Sequence, residues 1–188
     1  MRIISGEFKG RKLETFKDNQ IRPTTNKIRE KLFNILEHNS DVMFYESLSD
    51  IECMVDICCG MGSISFEAVS RGVKKAILID KNRYLEELIN YNAEKFNITD
   101  RVKFSNYNAL NLPLANQESS LVFIDPPYNK NISSKILIEL RKKNWLKNNA
   151  LIIIELAKKT DFQPPKNFTE ISRREDGITK LIFLKYQY

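Results

Sequence analysis

The chain holds a single histidine, His38, and only three cysteines, Cys53, Cys58 and Cys59, among 188 residues. One histidine and clustered thiols do not make a ligand set, so no metal site is expected. The same clustering, within one short stretch, argues against a disulfide framework. No apolar run approaches the length that crosses a bilayer. The start, Met1-Arg2-Ile3-Ile4-Ser5-Gly6, turns polar too soon for a signal peptide. Internal repeats and low-complexity segments are missing as well. The expectation is a cytoplasmic protein with no membrane or metal partner. Its length suits one well-buried α/β unit and is short for two.

Charge is present, and unevenly. Residues 1–31 hold nine lysines and arginines against four acids, which is +5 of the net +6. A basic arm on a near-neutral body reads as a footprint for a polyanion, with a solvated basic surface as the plainer alternative. Arg2–Ser5 and Arg11–Phe16 read as two short strands around a turn at Glu7-Phe8-Lys9-Gly10, a basic hairpin. Arg22-Pro23-Thr24-Thr25 then supplies an extended entry and a capping hydroxyl. Ile28, Leu32, Ile35 and Leu36 predict a helix from Asn26 to Glu37, with Arg29 off its apolar stripe. The candidate nucleic-acid contacts on this arm are Arg2, Lys9, Arg11, Lys12, Arg22, Thr24 and Arg29.

A cofactor pattern begins at Cys53-Met54-Val55-Asp56-Ile57, a buried strand that runs into the tight turn Cys59-Gly60-Met61-Gly62-Ser63. A helix, Ile64–Arg71, comes next, and a second strand, Lys75–Asp80, ends in an acid. Gly62 and Asp80 stand 18 residues apart, close to the ~20 expected between a glycine turn and a ribose-binding carboxylate. A dinucleotide wants a third glycine, and Ser65 and Phe66 stand there instead. Asp56, just before the turn, would repel a phosphate but can bind the ammonium of a methionine moiety. S-adenosyl-L-methionine therefore fits better than a nicotinamide dinucleotide. Cys58 and Cys59 read as packing residues rather than nucleophiles. Asn82 is the expected cap of the helix Arg83–Phe96, and Val102–Ser105 is a third strand. Asn108, in the loop after it, either reads an adenine amine or is an ordinary polar residue.

The fourth apolar run, Leu121-Val122-Phe123-Ile124, stops at Asp125-Pro126-Pro127-Tyr128. Two prolines without amide hydrogens end the strand there and stiffen the loop. Ligands of open α/β sheets sit beyond such strand ends. An exocyclic base amine is a poor nucleophile because its lone pair is delocalised into the ring. The Asp125 carboxylate and Pro126 carbonyl can accept both its hydrogens and turn that lone pair outward. Tyr128 can stack on the base. A strand end with a proline turn is the plainer reading of these four residues. A basic helix, Ser133–Lys143, a fifth strand, Ala150–Glu155, and a hairpin of Phe168–Arg174 with Thr179–Lys185 complete the chain.

Taken together these residues resemble the bacterial ribosomal small-subunit methyltransferase D family, which methylates a guanine amine in 16S rRNA. The likeness runs through Arg2-Ile3-Ile4-x-Gly6, Gly10-Arg11-Lys12-Leu13, Arg22-Pro23-Thr24, Arg29-Glu30 and Phe33-Asn34. It continues through Asp56-x-x-x-Gly60-x-Gly62, Glu67-Ala68-Val69-Ser70-Arg71-Gly72, Asp125-Pro126-Pro127-Tyr128, Trp145-Leu146 and Ala150-Leu151-Ile152 to Glu155. It implies a Rossmann-like class I methyltransferase: seven strands, the last antiparallel, with helices on both faces. Residues 1–38 would be an RNA-binding extension and 39–188 the methyltransferase domain of one globular unit. Asp56, Gly60, Gly62, Asp80 and Asn108 would line the S-adenosyl-L-methionine site, with Cys58, Lys81 and Ala109 beside them. Asp125, Pro126, Pro127 and Tyr128 would receive the flipped guanine. The partner would be 16S rRNA or an assembling small subunit, met by a monomer. Cys58-Cys59 replaces the usual Phe-Ala of the family, Met61 replaces a small residue, and Asn108 stands where many relatives have Asp. An enzyme acting on adenine in DNA is the nearest rival, and an inactive nucleic-acid-binding module is another.

Overall fold

The computed structural model describes residues 1–15, 26–42, 44–127 and 132–188. Its frame is a seven-stranded sheet of β1 (Cys53–Ile57), β2 (Lys75–Asp80), β3 (Val102–Asn106), β4 (Ser119–Ile124), β5 (Leu146–Ala157), β6 (Phe168–Asp176) and β7 (Thr179–Tyr186). The order across the sheet is β3-β2-β1-β4-β5-β7-β6. β1 to β5 pair in parallel, and β7 runs antiparallel to both its neighbours. Every residue of β1 and β4 is buried, as the continuous apolar runs of central parallel strands require.

Alternation along those strands feeds two layers. Met54, Phe123 and Ile153 face one way, onto Leu32, Phe33 and Leu36 of α1 (Asn26–His38) and onto Ile64 and Ala68 of α2 (Ser63–Ser70). Leu78 and Phe104 extend that face beneath α2 and α3 (Leu85–Phe96), where Ile3, Phe8 and Leu13 of the arm join the core. Val55, Val122 and Ile152 face the other way, onto Ile136, Leu137 and Leu140 of α4 (Ser133–Lys142). Leu32, Phe33, Phe123, Leu137 and Leu140 are each at 1 % exposure or less, so truncating any of them leaves a cavity.

Three elements begin two or more residues away from where the sequence pattern puts them. β4 begins two residues early: Ser119 pairs with Leu146, and its one buried hydroxyl hydrogen is shared between the carbonyls of Leu121 (2.7 Å) and Cys53 (3.0 Å). β5 begins at Leu146, because the exposed run Lys147-Asn148-Asn149 sits in an irregularity where Ser119 pairs with Leu146 and Leu121 with Leu151. α3 begins at Leu85, not Arg83: Asn82 Oδ1 accepts the Tyr84 amide (3.1 Å) in a turn that precedes the helix. In the arm the two extended segments are joined by Ile3 N–H to Arg11 O and Gly10 N–H to Ile3 O. Their pairing is regular enough for one bridge, Arg2 with Lys12, rather than two strands. The expected capping hydroxyl at Thr24-Thr25 lies outside the described residues.

Candidate active site

β1 and β4 are neighbours running the same way, so the loops after them emerge at the same end of the sheet, one strand spacing apart. Asp125 N–H donates to Ile57 O (3.2 Å), which fastens the acidic corner directly to the start of the glycine turn. Asp125 is half-buried, Pro126 buried and Pro127 exposed; Tyr128 lies outside the described residues.

The turn passes through left-handed backbone at Cys58 (φ 59°), Gly60 (φ 52°) and Gly62 (φ 76°). At Gly62 a side chain is excluded on two counts. A Cβ there would stand 2.5 Å from Leu78 Cδ2, and the torsion itself is hostile to an L residue. The close approach pulls the turn onto β2 and brings Gly60 N–H to Asp80 Oδ2 (3.1 Å). Asp80 Oδ1 accepts Asn82 N–H (2.9 Å), and the Asn106 amide donates to the Asp80 carbonyl (2.9 Å). The Asp80 carboxylate is thus held by one backbone amide per oxygen, and each oxygen keeps capacity for another donor.

Asp56 is buried at the base of the turn and takes a hydrogen bond from Ser65 Oγ (2.7 Å), on the first turn of α2. Burial pushes its carboxyl up to about 7; the Ser65 hydroxyl pulls it back, and the neighbouring Asp80 charge adds to the rise. The Cys58 thiol is pushed up to about 12, by burial first and then by the fields of Asp80, Asp125 and Asp56. All three carboxylates therefore lie within electrostatic reach of that thiol. Cys59 is raised well above the ordinary thiol range, mainly by burial. Neither sulfur is ionised near neutrality, so neither has the character of a nucleophile.

Lys81 is exposed beside Asp80, and Ala109 is buried beneath the loop after β3. Asn108 is exposed, with its side-chain oxygen accepting Leu110 N–H (3.0 Å), so a turn fixes it at the end of β3. Sequence reasoning missed three groups here: Ser65 as partner of Asp56, and Asn82 and Asn106 as the residues that organise Asp80. A serine nine places after Asp56, on the first turn of the helix, was the available signal. Among the described residues no cluster of three His, Cys, Asp or Glu could hold a metal ion.

The arm needs one correction. Arg29 is not a surface cation: it is 0 % exposed, and its Nε lies 3.5 Å from the equally buried Glu67 carboxylate. Its Nη2 donates to Arg2 O and to Asn26 Oδ1 (3.0 Å), so it meets its own chain, not phosphate. Arg2, Lys9, Arg11 and Lys12 are exposed. Arg2 donates to Gly10 O (2.7 Å), and Arg11 stacks 4.4 Å from the centre of the Phe96 ring. Arg22 and Thr24 lie outside the described residues.

A family model described as "Conserved hypothetical protein 95" matches residues 1–185. Ribosomal RNA small subunit methyltransferase D of Haemophilus influenzae is 31 % identical over 182 residues, 95 % of this chain and 90 % of its own length. The chain belongs to this methyltransferase family. Uncharacterized methylase RP545 of Rickettsia prowazekii is 32 % identical, over 99 % of this chain and 98 % of its own. Among solved structures, Escherichia coli yhhF matches with a TM-score of 0.83 at 27 % identity, over 100 % of this chain and 98 % of that one. An RNA methyltransferase from Salinibacter ruber, in complex with S-adenosyl-L-homocysteine, shares the fold at 14 % identity with a TM-score of 0.66.

The small-subunit methyltransferase D family consists of S-adenosyl-L-methionine-dependent enzymes, and the residues of this chain fit that cofactor. Asp80 has acceptor capacity for a ribose diol at the end of β2. Asp56 is an interior carboxylate that an arriving ammonium would stabilise in its charged form. Gly62, with no room for a Cβ against Leu78, lets the intervening turn lie close against β2.

Proposed function

We propose that this enzyme methylates the exocyclic N2 amine of a guanine in 16S rRNA. The reading is supported chiefly by the Asp125 N–H to Ile57 O bond, which sets the acidic corner beside the glycine turn. Bound at Asp56, Gly60, Gly62, Asp80 and the Asn108–Ala109 loop, S-adenosyl-L-methionine supplies an electrophilic methyl group. Asp125 and the Pro126 carbonyl accept the two amine hydrogens and so turn the lone pair out of conjugation with the ring. Pro127 keeps that loop from relaxing, and Tyr128 stacks on the base and holds it at the attack distance. The proton released after transfer goes to solvent.

Guanine is favoured by the chemistry of its edge. It presents adjacent N1 and N2 donors, which an acceptor-only carboxylate takes together, whereas adenine sets an acceptor beside its amine. The base must leave its stack to reach the corner. Arg2, Lys9, Arg11, Lys12 and Arg22, with Thr24, meet the sugar–phosphate backbone from the extension of residues 1–38.

Mapping of modified nucleotides in rRNA from cells with and without this protein is the test. Loss of one N2-methylguanine from 16S rRNA is the expected result. An unchanged rRNA, with methyl transfer to adenine in duplex DNA, would overturn the reading in favour of a DNA enzyme.

A further inference from the structure

Away from the catalytic end, three buried polar side chains are spent on the main chain of the arm. Glu67 accepts the amides of Ile4 (2.8 Å) and Ser5 (3.0 Å), while pairing with Arg71 (2.8 Å) and Arg29 (3.5 Å). Ser70 Oγ accepts Phe8 N–H (2.9 Å) and donates to Ser5 O (2.6 Å). Asn92 accepts Glu14 N–H (2.9 Å) and returns a bond to Glu14 O (3.1 Å), as a paired strand would. Glu67 and Asn92 are 0 % exposed and Ser70 is 3 % exposed. The approach is close enough that a Cβ on Gly6 would stand 1.9 Å from Ser70 O.

Ile3, Phe8 and Leu13 already bury apolar surface against α2 and α3. Apolar contact alone would hold the arm without deciding its register, because it is non-directional. Hydrogen bonds to particular main-chain groups do decide it, and leaving any of them unmade in the interior is costly. They align the outer side of the segment, where Lys9, Arg11 and Lys12 are exposed. Ser70 closes α2 at the end opposite Gly62, roughly 12 Å away along an eight-residue helix.

We propose that Glu67, Ser70 and Asn92 are positioning residues for RNA, fixing the register in which the arm's cations meet the phosphate backbone. The proposal rests on the rRNA reading above. These residues touch neither RNA nor cofactor, so they set the KM for RNA and leave kcat and cofactor affinity alone. A merely structural role would lower the folded fraction and move neither the KM nor its salt dependence.

The test uses the full-length protein and 16S rRNA or the small-subunit particle, whichever the wild type methylates. Ser70→Ala, Asn92→Ala and Glu67→Gln are compared with wild type by circular dichroism, by calorimetry with S-adenosyl-L-methionine, and by methyl transfer across a salt series. Expected are wild-type cofactor affinity, a KM for RNA raised about tenfold, and a shallower salt slope as phosphate contacts lose register. Folded variants with wild-type KM and slope would overturn the proposal. Hydrogen exchange on the wild type covers the case in which the variants do not fold. RNA should slow exchange at the Ile4, Ser5, Phe8 and Glu14 amides where cofactor alone does not, and no such slowing overturns the proposal equally. A wild type that modifies no RNA at all refutes the rRNA reading instead, so the two failures are separable.

Discussion

Asp56→Asn offers a quantitative probe of the carboxylate under the glycine turn. Raising this carboxyl from 3.8 to about 7 makes ionisation cost about 4 kcal/mol more in the folded protein than in the unfolded chain. Between those two values the unfolded chain gives up its proton first, so wild-type stability falls as pH climbs and levels off above the folded value. Integrated from pH 5 to pH 8, Asp56 removes about 3 kcal/mol. Asparagine does not titrate. All other groups are shared, so the difference between variant and wild type should move by about 3 kcal/mol in the variant's favour over that interval. The variant's absolute stability depends on whether its amide finds an acceptor, which costs about 1–3 kcal/mol if it does not, but that penalty is the same at both pH values. Urea unfolding without cofactor at pH 5 and pH 8 measures the difference directly. A gap between the two proteins that stays constant within about 1 kcal/mol would refute the account of Asp56 as an interior charge.

Four further outcomes are expected. Wild-type affinity for S-adenosyl-L-methionine, followed by calorimetry, should rise between pH 6 and pH 7.5 as Asp56 ionises against the cofactor's ammonium. Asp125→Ala should abolish methyl transfer in a labelled-methyl assay while cofactor affinity stays near wild type; equal turnover would sink the mechanism. Gly62→Ala should lose about 1–3 kcal/mol in urea unfolding and weaken cofactor binding, because its Cβ meets Leu78 at 2.5 Å in a left-handed torsion. Arg29→Met should lose about 1–3 kcal/mol in the same measurement by leaving the Arg2 carbonyl and Asn26 Oδ1 without their donor, while Glu67 keeps its ion pair with Arg71.

The sheet was legible because its central strands are buried on both faces and so read as unbroken apolar runs, each ended by an acid, a glycine turn or a proline pair. The two halves of the candidate site stood out for the same reason: Asp56, Asp80 and Asp125 are the residues that interrupt those runs. Features set by residues far apart in the chain escaped. Arg29 lies off the stripe of Ile28, Leu32, Ile35 and Leu36, which places it on a wet face until Glu67, 38 residues on, is brought against it. The arm's buried residues, Ile3, Phe8 and Leu13, keep neither a helical nor a strand period, because α2 and α3 select them. Lys147-Asn148-Asn149 read as a loop, yet β5 carries them as an exposed irregularity between two paired segments.

The place of β7 in the sheet bears on how the molecule is made. The last of the seven strands is wedged between β5 and β6, and it contributes a row of core side chains from Leu181 to Leu184. A nascent chain halted before Thr179 therefore displays the bare flank of β5 and leaves β6 with nothing to lean on. The far side of the sheet therefore cannot close until Thr179–Tyr186 has been made, and both β5 and β6 wait for a strand that follows them in the chain.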